Sequence, residues 1–153
     1  MFNIRQATLA DAEGIRLLEK ELVKHERAID PKIKEGDEVY YYDIKGVISQ
    51  SGKSLIIVIE KDGELIGCGL GEIRKNDHFY VTEYYGYIGM MSVKKEYRGA
   101  GLGGEIIKAL LQWFKSKNIS EAHLKVIPGN TGALKAYEKL GFEIFISEMR
   151  LEI

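Results

Sequence analysis

Four glycines and an arginine fall within the seven residues Arg98-Gly99-Ala100-Gly101-Leu102-Gly103-Gly104. An apolar strand ending at Val93 precedes them, and a helical apolar pattern of Ile106, Ile107, Leu110, Leu111 and Phe114 follows. Such a turn brings unpaired main-chain N–H groups to the start of a helix, where the positive end of the dipole favours an anion. Glycine allows positive φ there, and lets a ligand come closer than any Cβ would permit. The chemistry on offer is phosphate binding. Gly99 to Gly104 also satisfies G-x-G-x-x-G, the dinucleotide fingerprint, which needs a βαβ unit and an acidic residue about 20 positions on. The next strand ends Leu124-Lys125-Val126-Ile127-Pro128 with no carboxylate at its tip, and a single such unit follows where a doubly wound sheet wants several. The dinucleotide reading is the weaker one. A Walker loop is excluded, because no Gly-Lys-Ser/Thr follows the glycines.

Other reactive side chains carry less. Cys68 stands among glycines in a strand with no base in sequence reach, and there is no G-x-S-x-G elbow. His25, His78 and His123 are widely spaced and form no i,i+4 pair, so no metal site is expected. Tyr137 reads by itself as an aromatic on a helix facing the sheet. Its spacing, seven residues after Asn130 and five before Phe142, is what singles it out.

Periodicity names the elements that must position these residues. Phe2 to Ala7 alternates as a short strand. Thr8 offers an N-cap, with Asp11 placed to reach back to it, and Ala12, Ile15, Leu18 and Leu22 share one face of the helix that follows. From Lys24 to Ser54 the pattern loosens around Pro31 and Gly36, with an irregular helix predicted between Glu38 and Ile48. Its mixture of carboxylates and lysines, with Tyr40-Tyr41-Tyr42 in the middle, reads first as a solvated face. Leu55 to Glu60 and Leu65 to Ile73 form a hairpin about Asp62-Gly63. Gly67, Gly69 and Gly71 bare one face of the return strand, which invites close approach of a helix. Gly86 and Gly89 predict a bulge or splay in the strand Tyr84 to Val93. Glu121 to Ile127 is expected parallel to that strand by the right-handed crossover rule. Asn130 or Thr131 caps a last helix closed by Gly141, and Phe142 to Ile153 is long enough for a final strand or a pair.

With 153 residues the chain is one domain in length. Its 45% hydrophobic and 29% charged residues describe an ordinary globule, and a net charge of −1 gives no reason to expect nucleic acid or an anionic membrane as partner. The lone Cys68 rules out an internal disulfide and fits a reducing cytoplasm. No apolar run approaches the ~20 residues of a membrane span, and Met1-Phe2-Asn3-Ile4-Arg5 is not expected to be a signal peptide.

Arg98-x-x-Gly101-x-Gly103, the strand before it, and the run Asn130-x-x-Ala133-x-x-x-Tyr137-x-x-x-Gly141-Phe142 together resemble the GCN5-related N-acetyltransferase superfamily, and the order of elements fits over nearly the whole chain. The resemblance implies one α/β (α+β) domain over residues 1–153. Its central mixed sheet would be mostly antiparallel with one splayed parallel pair, and helices would lie on both faces. It implies acetyl-CoA as donor, held by Met91, Ser92, Val93, Arg98, Gly99, Ala100, Gly101, Leu102, Gly103, Gly104, Asn130, Ala133 and Tyr137. The phenol of Tyr137 would protonate the departing thiolate, the task of a weak acid. The acceptor would be a primary amine of a small molecule or protein, with Asp30, Glu38, Tyr40 and Tyr85 as candidate contacts, and a homodimer stays open. One departure matters: Gly89 stands where many family members carry a glutamate base. Glu83, Glu72 and Tyr85 are the candidate replacements, Glu83 foremost. A binding module that holds acyl-CoA without turnover is the alternative.

Overall fold

The structure, a computed structural model, describes residues 1–50 and 52–153. Five strands lie in one sheet in the order β1 (Asn3–Gln6), β2 (Ser54–Lys61), β3 (Glu64–Lys75), β4 (Tyr84–Val93) and β5 (Ala122–Leu124). Neighbours run antiparallel except β4 and β5, which are parallel. Alternation along β2 divides the interior in two. Ile56 and Val58 turn toward α1 (Ala12–Ile29) and α2 (Ile44–Ser49), while Ile57 and Ile59 turn toward α3 (Leu102–Ser116). Tyr137 of α4 (Thr131–Lys139) packs at the margin of that second core. This is the mixed sheet, covered on both faces, that the sequence resemblance implies.

The glycines of β3 set how close α3 comes. A Cβ on Gly69 would stand 2.5 Å from Ile106 Cγ2 and 2.6 Å from Met91 Sδ, and one on Gly71 would stand 3.0 Å from Leu110. No side chain fits there, so Ile106, Leu110 and Phe114 rest directly on the strand.

Three elements differ from the sequence expectation. The helix predicted between Glu38 and Ile48 is confined to Ile44–Ser49, because Asp43 accepts the Gly46 N–H (3.2 Å) and starts it there. The parallel strand predicted to Ile127 pairs only at Ala122–Leu124. Residues 142–153 form no strand at all, despite their pattern.

At the other end, Thr8 and Asp11 behave as their spacing predicts: the Thr8 N–H donates to Asp11 Oδ2 (2.7 Å). This turn is clamped to the sheet by Arg5, whose guanidinium donates to both Asp11 oxygens (2.8 and 2.9 Å) and to Glu60 (2.7 Å). Hydrogen bonding to Arg5 pulls the Asp11 carboxyl down to about 2. A depressed carboxyl stabilises the fold above its ordinary value of 3.8 and loses that contribution as pH falls toward 2. Asp11→Asn should therefore cost about 1 kcal/mol at neutral pH. Denaturant midpoints measured at stepped pH should show that gap constant above roughly pH 4 and narrowing below it. A gap independent of pH would mean that the Arg5 pair contributes nothing.

Candidate active site

At the start of α3, Gly99 and Gly101 take φ of +81° and +78°, and Gly101 is the left-handed N-cap. No side chain caps this helix, and its first backbone bond is Glu105 N–H to Gly101 C=O (3.2 Å). The amides of Leu102, Gly103 and Gly104 thus lack helical acceptors, while the Leu102 side chain is buried in the core. A Cβ built on Gly99, Gly101 or Gly103 meets nothing within 4 Å, so the approach to these amides is clear. Arg98 braces the turn: its Nε donates to the Val93 carbonyl (2.8 Å), and the exposed Ala100 follows it. The residues present fit a diphosphate at this helix end.

One strand back, β4 leaves its parallel neighbour. The ladder with β5 ends at Ile88 opposite Leu124, so Gly89 to Val93 have no strand on that side. A bulge forms in the same place, where Leu70 pairs with Gly89 but Cys68 pairs with Ser92. Met90 absorbs the extra residue at φ +51°. Gly89 and Met90 consequently both face the α1 side, whereas Met91 packs toward α3. The Ser92 hydroxyl donates to the Leu18 carbonyl (3.1 Å), tying the bulge to α1. Asn130 caps α4 through its Oδ1, which accepts the Ala133 N–H (3.4 Å).

On the α1 side of the sheet, cross-strand pairing places Glu72 opposite Tyr87 and Arg74 opposite Tyr85. Arg74 pairs with Glu72 (2.7 Å) and lies 3.6 Å from the centre of the Tyr87 ring. Tyr42 enters from the segment before α2, and its hydroxyl occupies the place that a Cβ on Gly89 would take. Burial, then the neighbouring Tyr87, raises the Tyr42 phenol well above the ordinary value. Tyr137 of α4 packs at the margin of the α3-side core, with Glu26 and Tyr87 near enough to act on its phenol. Burial raises its phenol, and the nearby charge of Glu26 raises it further, so it holds its proton at neutral pH. Glu26 is half-buried on α1 and is pushed up by burial against the opposing effect of His25. Among the described residues it has no ion-pair partner.

The other buried carboxylate of α1, Glu19, is wholly enclosed. It pairs with Arg16 and accepts the backbone N–H groups of Tyr41 (3.3 Å) and Tyr42 (3.0 Å). Arg16 in turn donates to the Asp37 carbonyl (3.1 Å) and lies 5.1 Å from the Tyr40 ring centre. The segment carrying the tyrosines is therefore pinned to α1 through one charged pair.

The sequence candidates divide accordingly. Met91 to Val93 form the end of β4 past its pairing with β5, and the glycine turn leads from there into α3. Asn130 and Ala133 form the capped start of α4, and Tyr137 packs at the margin of the core under α3. Glu72 and Tyr85 share the face of Gly89, with Tyr85 stacked on His123 at 4.2 Å. Glu83 is exposed before the start of β4, six positions and about 20 Å of strand from Gly89, and is not brought to the cluster. Asp30 is already engaged by Arg150 (2.8 Å), which holds its carboxyl down at about 2. Glu38 and Tyr40 are exposed. The Cys68 thiol is fully buried and pushed up to about 12, far from a nucleophile. Sequence reasoning passed over Glu19, Glu26 and Tyr87, and named Tyr42 only within the run Tyr40-Tyr41-Tyr42, choosing Tyr40 as the candidate contact. For the glutamates a signal existed: seven residues apart, they lie two turns apart on the stripe of Ile15 and Val23.

Residues 19–142 match the family model described as Acetyltransferase (GNAT) family. The N-alpha-acetyltransferase 30 of Schizosaccharomyces pombe is 37% identical over 70 residues, 46% of this chain and 47% of that protein. The thialysine N-epsilon-acetyltransferase of Bos taurus is 29% identical over 147 residues, 90% of this chain and 82% of that one. The chain spans about half or less of the length of several curated relatives it matches. A crystal structure of a mutant BH1408 protein from Bacillus halodurans has the same fold, with a TM-score of 0.86 at 20% identity over 99% of both chains.

If Glu19 fixes the tyrosine-bearing segment, Glu19→Gln keeps its shape but weakens its grip on the two amides and leaves Arg16 unpaired. Stability should fall by about 1–3 kcal/mol. Hydrogen exchange of the Tyr41 and Tyr42 amides should speed up far more than that of strand amides in β2. Unchanged exchange at both positions would show the segment to be held by other means.

Proposed function

We propose that this chain, which belongs to the acetyltransferase (GNAT) family, moves an acetyl group directly from acetyl-CoA to a primary amine of a small molecule or protein. One observation supports this most: the uncapped N-terminus of α3 follows directly on β4, whose edge from Gly89 to Val93 has no neighbour on the β5 side, and the raised phenol of Tyr137 is a proton donor of the kind the reaction needs. Acetyl-CoA, when bound, supplies the activated thioester. The amides of Leu102, Gly103 and Gly104 hold its diphosphate, with the approach kept clear by Gly99, Gly101 and Gly103. The edge of Met91, Ser92 and Val93 pairs with the pantetheine amides as an added strand would, and the side-chain NH2 of Asn130, whose Oδ1 caps α4, can join them. Backbone N–H groups at the bulge stabilise charge developing on the thioester oxygen.

The amine arrives from the α1 side, where Glu26 favours a cation, Glu72 being already paired with Arg74. Glu26 takes its proton, since burial raises that carboxyl above its ordinary value and, among the described residues, no ion pair occupies it. Tyr42 fills the position left by Gly89, so the wall stays closed without the strand carboxylate. Tyr137 gives its proton to the thiolate that leaves, and the second proton of the amine nitrogen restores its phenol as the C–S bond breaks.

Two sets of measurements test the reading. Gly103→Val adds a side chain at a helical position with open space in front of it, so it should leave the fold intact and abolish calorimetric binding of acetyl-CoA. Wild-type affinity in that variant would move the phosphate site elsewhere.

Thiol release over an amine panel should rise with pH as Glu26 deprotonates, above the ordinary carboxylate range, and Glu26→Gln should lose that rise. Tyr137→Phe should lower kcat by about 10²–10⁴-fold with little change in KM for acetyl-CoA or in Tm. Glu83→Gln should match wild type. Binding of acetyl-CoA without thiol release for any amine would favour the non-catalytic module. A Tyr137→Phe protein with wild-type kcat, where chemistry limits turnover, would assign the acid to another group.

A further inference from the structure

The acceptor side holds one guanidinium to which the acetyl transfer gives no task. Arg74 lies on the α1 side of β3, and its side chain is fixed from two directions. Its guanidinium carbon stands over the Tyr87 ring, 3.6 Å from the centre, and its Nη2 donates to Glu72 Oε1 (2.7 Å). Among the described residues, nothing accepts from Nε or Nη1. Arginine offers five N–H donors in a planar fork, and Nη2 shares one edge with Nε and the other with Nη1. Glu72 engages one hydrogen of Nη2. Whichever that is, the other still belongs to a complete two-donor edge. The ring and Glu72 aim this edge before any ligand arrives, and the side chain is 37% exposed, so a solute can reach it.

Tyr87 also sets how far the open edge lies from the reaction. A Cβ on Gly89 would stand 3.1 Å from Tyr87 Cε1, so the ring whose face carries Arg74 has its rim at the bulge of β4. The Tyr137 phenol is near enough to feel both Tyr87 and Glu26. The open cationic edge and Glu26, unpaired among the described residues, therefore give the acceptor face two ends of opposite sign. Little more than one aromatic ring separates the guanidinium from the bulge.

We propose that the open edge of Arg74 takes a carboxylate of the acceptor, so that the acceptor is an amino carboxylate, with the reacting amine and the carboxylate roughly three to five carbons apart. The inference rests on the acetyl transfer proposed above and adds the chemical class of its substrate. Two parallel N–H···O bonds match the plane of a carboxylate, and the opposite ends of the face orient such a molecule with its amine toward Glu26. A phosphate would bring a second negative charge beside Glu72, and that repulsion disfavours it. A bare alkylamine leaves the edge to water. An ion pair serving the fold alone has no use for the fork, since lysine would meet Glu72 as well.

The test compares 5-aminopentanoate with pentylamine, which has the same chain and amine without the carboxylate, and with 4-aminobutyl phosphate. Thiol release from acetyl-CoA gives kcat/KM for each, and calorimetry on the protein with CoA, which has no acetyl group to transfer, gives binding. The wild type should favour 5-aminopentanoate over pentylamine by about tenfold or more in both readouts. Arg74→Gln should bring that ratio to about one, with Arg74→Lys, which keeps the charge and loses the fork, in between. Equal treatment of the two amines by the wild type would overturn the proposal, as would a ratio that survives Arg74→Gln. A wild type that favours 4-aminobutyl phosphate would overturn the carboxylate assignment. Binding of 5-aminopentanoate that depends on Arg74, without thiol release from any amine, would uphold the subsite and sink the acetyl transfer instead. Should Arg74→Gln fail to fold, Arg74→Lys carries the comparison, and a wild-type ratio there would overturn the role of the fork.

Discussion

Parallel strands that stop pairing partway leave backbone groups to be satisfied, and everything else in the site follows from where β4 and β5 stop. Past Ile88 and Leu124 the two diverge, and the edge of Gly89 to Val93 loses its ladder on one side. An unmet buried N–H or C=O costs about 1–3 kcal/mol, so such an edge is poised for a ligand that brings amides of its own. The bulge at Met90 keeps it open. A methionine at φ +51° costs on the order of 1–3 kcal/mol and persists because Ser92 is tied to Leu18 and the Met90 side chain is buried against α1. The strain and the open edge are one feature.

That opening separates two chemistries by sheet face. On one side the uncapped start of α3 offers backbone dipoles to an anion, and glycines keep the approach free of side chains. On the other, α1 and the segment before α2 bring phenols and carboxylates, groups that move protons. In the reaction proposed above, a donor with a phosphate handle and an acceptor with an exchangeable proton would reach one strand from opposite directions. The bulge lets this happen on a continuous chain, since it turns Gly89 and Met90 to the α1 side while Met91 and Val93 serve the α3 side.

Much of this was legible in the sequence. The glycine turn, the bared face of β3 and the splay at Gly89 each depend on residues whose local conformation has few alternatives. The donor side is made mostly of main chain, so glycine spacing reports it directly. The acceptor side is made of side chains from α1, β3, β4 and the segment before α2, which only tertiary packing brings together. Tyr42 sits 47 positions from the glycine whose place it fills, and no periodicity links them. Asp30 looked available for a cationic amine because its partner, Arg150, lies 120 residues away. Residues 142–153 carry a strand pattern but form no strand, because alternation specifies which face wants cover and not which neighbour provides the hydrogen bonds.

Glu19 shows why the acceptor side tolerates the missing strand carboxylate. Burying a carboxylate is costly unless it is paired and hydrogen-bonded, and here Arg16 and two backbone amides satisfy it completely. In exchange the segment bearing Tyr41 and Tyr42 has one position relative to α1, and Tyr42 reaches Gly89 in a fixed pose. A side chain at position 89 would collide with that hydroxyl, so the glycine and the tyrosine require each other. The absent glutamate is therefore no simple loss from the strand. It belongs with a rearranged wall in which Tyr42 takes the space at Gly89, and in the proposed mechanism α1 would supply the carboxylate.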